Sequence, residues 1–209
     1  MNEARRDFEQ VATRWDSNPT RLKIAQDVGN AITRMVQLTP QMDVLDYGCG
    51  TGLIAMQLQA QVRSVCGADS SPAMVAVLQD KIATLKPGNV STQLVDFEHG
   101  AHATGTYDLI VSSMVTHHIP DTAALLREWK RLLKPHGQIA FADLDREDGS
   151  FHGDNTGVFH LGFDRAALRQ LLLAEGYDEV RDSTAAVVRK EVAGKLREFP
   201  IFLIAARRA

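Results

Sequence analysis

Residues 44–53 read Val-Leu-Asp-Tyr-Gly-Cys-Gly-Thr-Gly-Leu, which places Asp46 just ahead of Gly48, Gly50 and Gly52. The apolar residues before the glycines read as a strand, and residues 51–58 are amphipathic. Glycine accepts positive φ and lacks a Cβ, so such a turn lets backbone N–H groups approach a ligand closely. Open α/β sheets bind ligands at the carboxyl ends of their strands, and this turn is shaped to hold a nucleotide-like ligand there. Asp46 comes too early to cap the following helix and is placed to accept hydrogen bonds from that ligand. A phosphate-binding P-loop needs Gly-Lys-Ser/Thr after four intervening residues, and no lysine lies near. A dinucleotide fingerprint fits through Gly50 and then calls for a small residue at position 53, which is Leu53.

Other chemistry-bearing residues follow at useful places. Asp69 closes a second apolar run 19 residues beyond Gly50, a spacing that lets a carboxylate accept both hydroxyls of a ribose. Asp69 could instead cap the next helix, but Ser70 or Ser71 can do that. Among seven histidines, His117 and His118 are adjacent while His152 and His160 lie eight apart. None has zinc-ligand spacing with cysteine or carboxylate, so no metal site is expected. Residues 145–163 mix Phe151, Phe159 and Phe163 with His152, His160 and several glycines. Aromatic and flexible residues on a loop above the sheet suit a lid or an acceptor pocket.

Elements must position these groups. Strands are expected over 43–46, 64–68, 90–95, 107–112, 138–143, 180–188 and 199–205. Helices intervene: one starts at Ser71 with Pro72 in its first turn, one is capped by Asp121 and stopped by Pro135 and Gly137, and one is capped by Asp164. Two helical pieces broken at Asn18-Pro19 precede them, with Trp15 on the apolar face of the first and Pro40 ending the second. Alternating strands and helices predict an α/β three-layer sandwich around a mostly parallel sheet. We expect a single domain over 1–209, with a helical cap at 1–40, a core at 41–209 and a lid at 145–163.

Composition narrows the options. A net charge of −3 gives no electrostatic footprint for nucleic acid. No apolar run approaches the ~20 residues that span a bilayer, so no membrane partner is expected. Two cysteines, Cys49 and Cys66, suggest a reducing cytoplasm rather than a disulfide scaffold or a thiol-based catalytic set.

The 44–53 decapeptide resembles the first motif of the class I S-adenosylmethionine-dependent methyltransferases. Three further segments extend the resemblance over about residues 44 to 143: Asp69-Ser-Ser-Pro-Ala-Met74, Leu-Val-Asp96-Phe97, and the 107–115 run Tyr-Asp-Leu-Ile-Val-Ser-Ser-Met-Val. The resemblance implies a Rossmann-like fold with seven strands, the last antiparallel, and S-adenosyl-L-methionine as methyl donor. It implies that Asp46, Gly48, Cys49 and Gly50 form the donor loop and that Asp69 holds the ribose. Ser70 and Met74 would lie beside the adenine, Asp96 and Phe97 would meet its edge and face, and Ser112 would mark the methionine end. Trp15 resembles an aromatic that closes over the sulfonium in small-molecule members, unless it only completes its helix face. The implied reaction is methyl transfer to a small-molecule acceptor by in-line displacement, from a monomer or homodimer. If the acceptor carries a proton, His118 or His160 is the candidate general base. Non-methyl transfer on the same fold, a nicotinamide-dependent oxidoreductase and a non-catalytic binding partner are the alternatives.

Overall fold

A computed structural model describes residues 7–209. Seven strands form one sheet in the order β3-β2-β1-β4-β5-β7-β6. They are β1 (Asp43–Tyr47), β2 (Ser64–Asp69), β3 (Val90–Leu94), β4 (Tyr107–Ser113), β5 (Leu133–Leu144), β6 (Tyr177–Val192) and β7 (Lys195–Arg208). The first five run parallel, and β7 is antiparallel to both of its neighbours. The strand order reverses between β1 and β4, and the crevice beyond their carboxyl ends is the natural ligand site of such a sheet.

Strand alternation divides the core into two layers. Leu45, Ile110, Ile139, Phe141 and Phe202 face α4 (Thr122–Leu132) and α5 (Arg165–Ala174). Val44, Val65, Leu109, Ala140 and Leu203 face α1 (Pro19–Met35) and α2 (Leu53–Leu58). A fifth helix, α3 (Pro72–Leu85), lies over β2 and β3. Caps fix where these helices begin. Asn18 Oδ1 accepts from Thr20 and Arg21, Ser71 Oγ from Met74, Asp121 from Ala124, and Asp164 from Ala167. Ser71 therefore fills the capping role that competed with a ligand role for Asp69.

Several elements differ from the sequence expectation. The first helical piece is a 3-10 helix, Glu9–Ser17, and α1 ends at Met35, before Pro40. β5 starts at Leu133, directly at the end of α4, and runs through Pro135. β6 and β7 extend well beyond 180–188 and 199–205 because a tight hairpin through Ala193 and Gly194, both at positive φ, continues their pairing. Polar residues occupy this extension, so hydrophobic alternation fades there while the backbone ladder persists.

Candidate active site

A cavity of about 640 Å³ opens at the carboxyl ends of β1, β2 and β4 and beyond β3. Trp15, Asp46, Gly48, Cys49, Gly50, Asp69, Ser70, Met74, Asp96, Phe97 and His118 all line it. Segments dispersed over the sequence are thus brought to one place.

The glycine turn does something other than expected with its donors. Gly48 and Cys49 both donate to the Ala68 carbonyl, at 2.7 and 3.0 Å. Gly50 N–H donates to Asp69 Oδ2 at 2.7 Å, and Gly52 N–H to the Cys49 carbonyl at 2.8 Å. In the first turn of α2, Ala55 N–H donates to Asp46 Oδ2 at 3.0 Å. The loop therefore spends these N–H groups inside the fold and places two carboxylates where a pyrophosphate would need donors. Such a loop suits an adenosyl ligand that carries no phosphate and bears positive charge, and it opposes a dinucleotide.

The glycines have separable reasons. A Cβ on Gly48 would lie 2.3 Å from Val115, and one on Gly52 2.3 Å from Leu78. A Cβ on Gly50 would meet only Met74 Sδ at 3.9 Å, so Gly50 (φ +52°) leaves the cavity floor bare. Burial pushes the Asp46 carboxyl up to about 7 against the opposing Ala55 hydrogen bond, and burial likewise raises Asp69. Burial also raises the Cys49 thiol, with Asp46 and Asp69 adding to it, so Cys49 contributes packing and backbone rather than a thiolate.

A strap crosses the cavity beside α3. Glu9 Oε1 accepts from Ser71 Oγ at 2.5 Å and Glu9 Oε2 from Ala73 N–H at 3.1 Å. Asp16 accepts from Thr51 Oγ1 and pairs with Lys81, both at 2.6 Å. Trp15 lines the cavity, with the Arg21 guanidinium stacked 3.8 Å from its ring centroid. That contact occupies an aromatic face expected to meet the sulfonium, and it makes Arg21 part of the wall.

Two expected residues lie elsewhere. Ser112 is buried and its Oγ donates to the Tyr47 carbonyl at 2.7 Å, so it ties β4 to β1. Ser113, Met114 and Val115 line the cavity in its place, with Met114 in the left-handed region (φ +59°) as β4 exits. His160 is outside the cavity: its Nε2 donates to the Ile119 carbonyl at 2.9 Å and its ring stacks on Phe163.

The histidine pair is also redistributed. His118 donates from Nδ1 to the Gly157 carbonyl at 2.6 Å, and burial followed by the adjacent His117 lowers its pKa to about 3. An imidazole that resists protonation this strongly is a poor base. His117 is held by a carboxylate instead. Its Nδ1 lies 2.7 Å from Asp143 Oδ1, and Asp143 Oδ2 accepts the His117 backbone N–H at 3.0 Å. Burial pushes Asp143 up, but the His117 ring and the Leu144 and His117 amides outweigh it and hold the carboxyl below its usual range. A carboxylate can only accept, so Nδ1 carries a proton, and in the neutral ring Nε2 presents a lone pair. Nε2 is buried, has no hydrogen-bond partner among the described residues, and belongs to a residue lining the cavity. His152 from the 145–163 segment stacks 5.0 Å from His117. The sequence singled out the histidine pair; what it lacked was Asp143, which sits in β5 among apolar residues and reads there as an ordinary strand end.

The family model described as "Methyltransferase domain" matches residues 20–182. The chain belongs to the class I S-adenosylmethionine-dependent methyltransferases. It is 29% identical over 157 residues to a ubiquinone biosynthesis O-methyltransferase of Vibrio campbellii, covering 69% of this chain and 63% of that protein. An uncharacterized methyltransferase of Schizosaccharomyces pombe is 32% identical over 135 residues, covering 58% and 48%. The chain thus spans about half to just under two thirds of these curated relatives. Among solved structures, a SAM-dependent methyltransferase from Aquifex aeolicus superposes with a TM-score of 0.71 at 22% identity, covering 98% of this chain and all of that one. Phosphoethanolamine N-methyltransferase 2 of Haemonchus contortus, in complex with S-adenosyl-L-methionine, superposes with a TM-score of 0.70 at 16% identity, covering 97% and 60%. This methyltransferase uses S-adenosylmethionine as donor, and the bare floor at Gly50 with the Asp46 and Asp69 carboxylates beside it fits a cationic adenosyl group. Among the described residues, no helix is long and apolar enough to cross a membrane and no group of His, Cys, Asp and Glu could hold a metal ion.

Two measurements check this geometry. Gly50→Ala should weaken S-adenosylhomocysteine binding tenfold or more in calorimetry, at a stability cost of only about 1–2 kcal/mol from the left-handed backbone. Gly52→Ala adds overlap with Leu78 and should lose a further ~1–3 kcal/mol in denaturant unfolding. The folded pKa of Asp46 lies above its unfolded value of 3.8, so the stability it contributes is full below pH 3.8 and lost as pH rises through about 7. The melting temperature of ligand-free Asp46→Asn should therefore gain on the parent protein between about pH 4 and pH 7 and level off above, in paired thermal scans.

Proposed function

We propose that this enzyme methylates a hydroxyl group of a small aromatic acceptor, with His117 as general base. The carrying observation is the Asp143–His117 pair, which leaves an unpartnered Nε2 on a residue lining the cavity. Bound S-adenosylmethionine supplies an activated methyl group whose leaving group is a neutral thioether. Asp69 holds the ribose and Asp96 with Phe97 the adenine, as the order of motifs implies, and Arg21 reaches the methionyl carboxylate. Phe151, Phe159 and His152 of the 145–163 segment form the acceptor side, with Phe8 closing it from the strap.

Neutral phenols and alcohols are weak nucleophiles, so the hydroxyl proton has to leave as the oxygen approaches the methyl carbon. His117 Nε2 takes that proton. The imidazolium so formed is compensated by Asp143, which stays ionised, and the ring cannot rotate because both Asp143 oxygens grip the His117 residue. The walls exclude water and align the oxygen with the methyl, and alignment of this kind is worth about 7–11 kcal/mol in well-oriented systems. The relationship to an O-methyltransferase of ubiquinone biosynthesis supports a hydroxyl acceptor. Buried free thiols at Cys49 and Cys66 support a reducing cytoplasm as the working compartment.

With radiolabelled donor and a panel of phenols and catechols, His117→Asn should lower methyl transfer by about 10²–10⁴-fold. Its affinity for S-adenosylhomocysteine should stay within about twofold, since the adenosyl contacts come from other residues. His160→Asn should leave transfer nearly unchanged. Transfer to amines in preference to hydroxyls, or an unimpaired His117→Asn, would remove the base assignment.

A further inference from the structure

We infer that the acceptor carries an anionic group, a carboxylate or a phosphate, that is received by Lys190. This deepens the hydroxyl-acceptor reading and rests on it.

Charge in the cavity is distributed across the sheet rather than mixed. The lining carboxylates Asp46, Asp69, Asp96 and Glu98 lie at or just beyond the ends of β1, β2 and β3. At the other side, α1 contributes Arg21 and β6 contributes Arg189 and Lys190 to the lining, and neither these elements nor the 145–163 segment adds a carboxylate to it. Sheet order explains the separation, because β6 is the edge strand farthest from β3. A donor that bears positive charge belongs on the acidic side, with Arg21 on α1 facing its carboxylate, which leaves the β6 edge to the acceptor.

Lys190 is the cation on this side that the fold leaves unneutralised. Along β6, Ala186 and Val188 are buried against α1, and Lys190 continues that same face two residues on, half-buried. Its ammonium donates to the Phe151 carbonyl at 2.5 Å and sits 5.7 and 5.9 Å from the ring centroids of Phe151 and Phe199. No carboxylate among the described residues pairs with it. Arg189 points to the opposite, exposed face, where it pairs with Glu198, and Arg21 is stacked on Trp15. A partly desolvated ammonium satisfied by one carbonyl and two aromatic faces retains donors and charge for an incoming anion.

Position ties this cation to the base. The His117 and His152 rings lie 5.0 Å apart, His152 meets Phe151 edge-to-face at 4.9 Å, and Lys190 lies over Phe151. On this assignment, an aromatic acceptor bearing a hydroxyl at one end and an anion at the other presents the first to His117 and the second to Lys190. The anion would then register the ring along the cavity and choose which hydroxyl meets the base.

The test uses the full chain loaded with S-adenosylhomocysteine and calorimetry with three probes: a hydroxybenzoate, the matching hydroxybenzamide and the matching hydroxyphenyl phosphate. One or both anions should bind at least tenfold more tightly than the amide, and the stronger of the two identifies the group. Lys190→Gln, which keeps a donor for the Phe151 carbonyl, should abolish that preference without changing the affinity for the amide or for S-adenosylhomocysteine. Lys190→Arg should restore most of it. Equal binding of anions and amide, no binding of either anion, or a preference that survives in Lys190→Gln would overturn the assignment. A protein that methylates neutral phenols through His117 yet shows no anion preference would overturn this inference alone and leave the base standing.

Discussion

The site depends on two carboxylates that absorb the backbone donors of the glycine turn. Asp69 takes the Gly50 and Ser71 N–H groups, and Asp46 takes the Ala55 N–H in the first turn of α2. Glycine-rich turns at helix starts ordinarily offer such donors to phosphate. Here the offer is withdrawn by side chains from the ends of β1 and β2, and negative charge is held against a surface that usually attracts it from a ligand. Burial makes this arrangement costly, as the raised proton affinities of both carboxylates show. A cationic ligand bound there would offset that cost. Loop geometry and ligand charge are therefore one constraint rather than two.

The same economy governs the histidine pair. Asp143 is completely buried and would be an expensive charge alone, yet it is surrounded by the His117 ring, the His117 amide and the Leu144 amide. That environment fixes the His117 tautomer and leaves one nitrogen without a partner. His118, one residue on, is turned to the Gly157 carbonyl and serves to seat the 145–163 segment. Adjacent residues of one type thus carry different tasks because one meets a carboxylate and the other a carbonyl.

Much of the fold was legible in the sequence, since Val44 and Leu45, or Leu109 and Ile110, sit on opposite faces of a doubly covered sheet and the caps at Ser71, Asp121 and Asp164 are local signals. That Asp46, Asp69 and Asp96 would meet in one cavity was legible for a similar reason: each lies at or just beyond a strand end, where a motif and a boundary coincide. What was not legible required three-dimensional pairing. Ser112 and Ser113 cannot be told apart until the alternation of β4 is set against Tyr47, and that choice turns Ser112 inward. His160 was drawn to the site by its company of aromatics, but the path of 145–163 brings its ring to Ile119 and Phe163. Asp143 and Lys190 carried no signal at all, because their meaning comes from a partner 26 residues away in one case and from the aromatic faces around it in the other.

The strap and the β6–β7 hairpin have a consequence for how the protein is made. Phe8, Trp15 and Arg21 form one wall of the cavity while Val188 and Lys190 form another. Contacts between such distant parts of a chain must overcome a large loop-closure entropy, so they form late in folding. The central parallel strands can assemble before the hairpin strand exists, but the chamber cannot. A nascent chain would already hold the glycine turn and Asp69 and still have no enclosed place for chemistry. Enclosure, and with it exclusion of water from an activated methyl group, arrives only when the two ends of the fold meet.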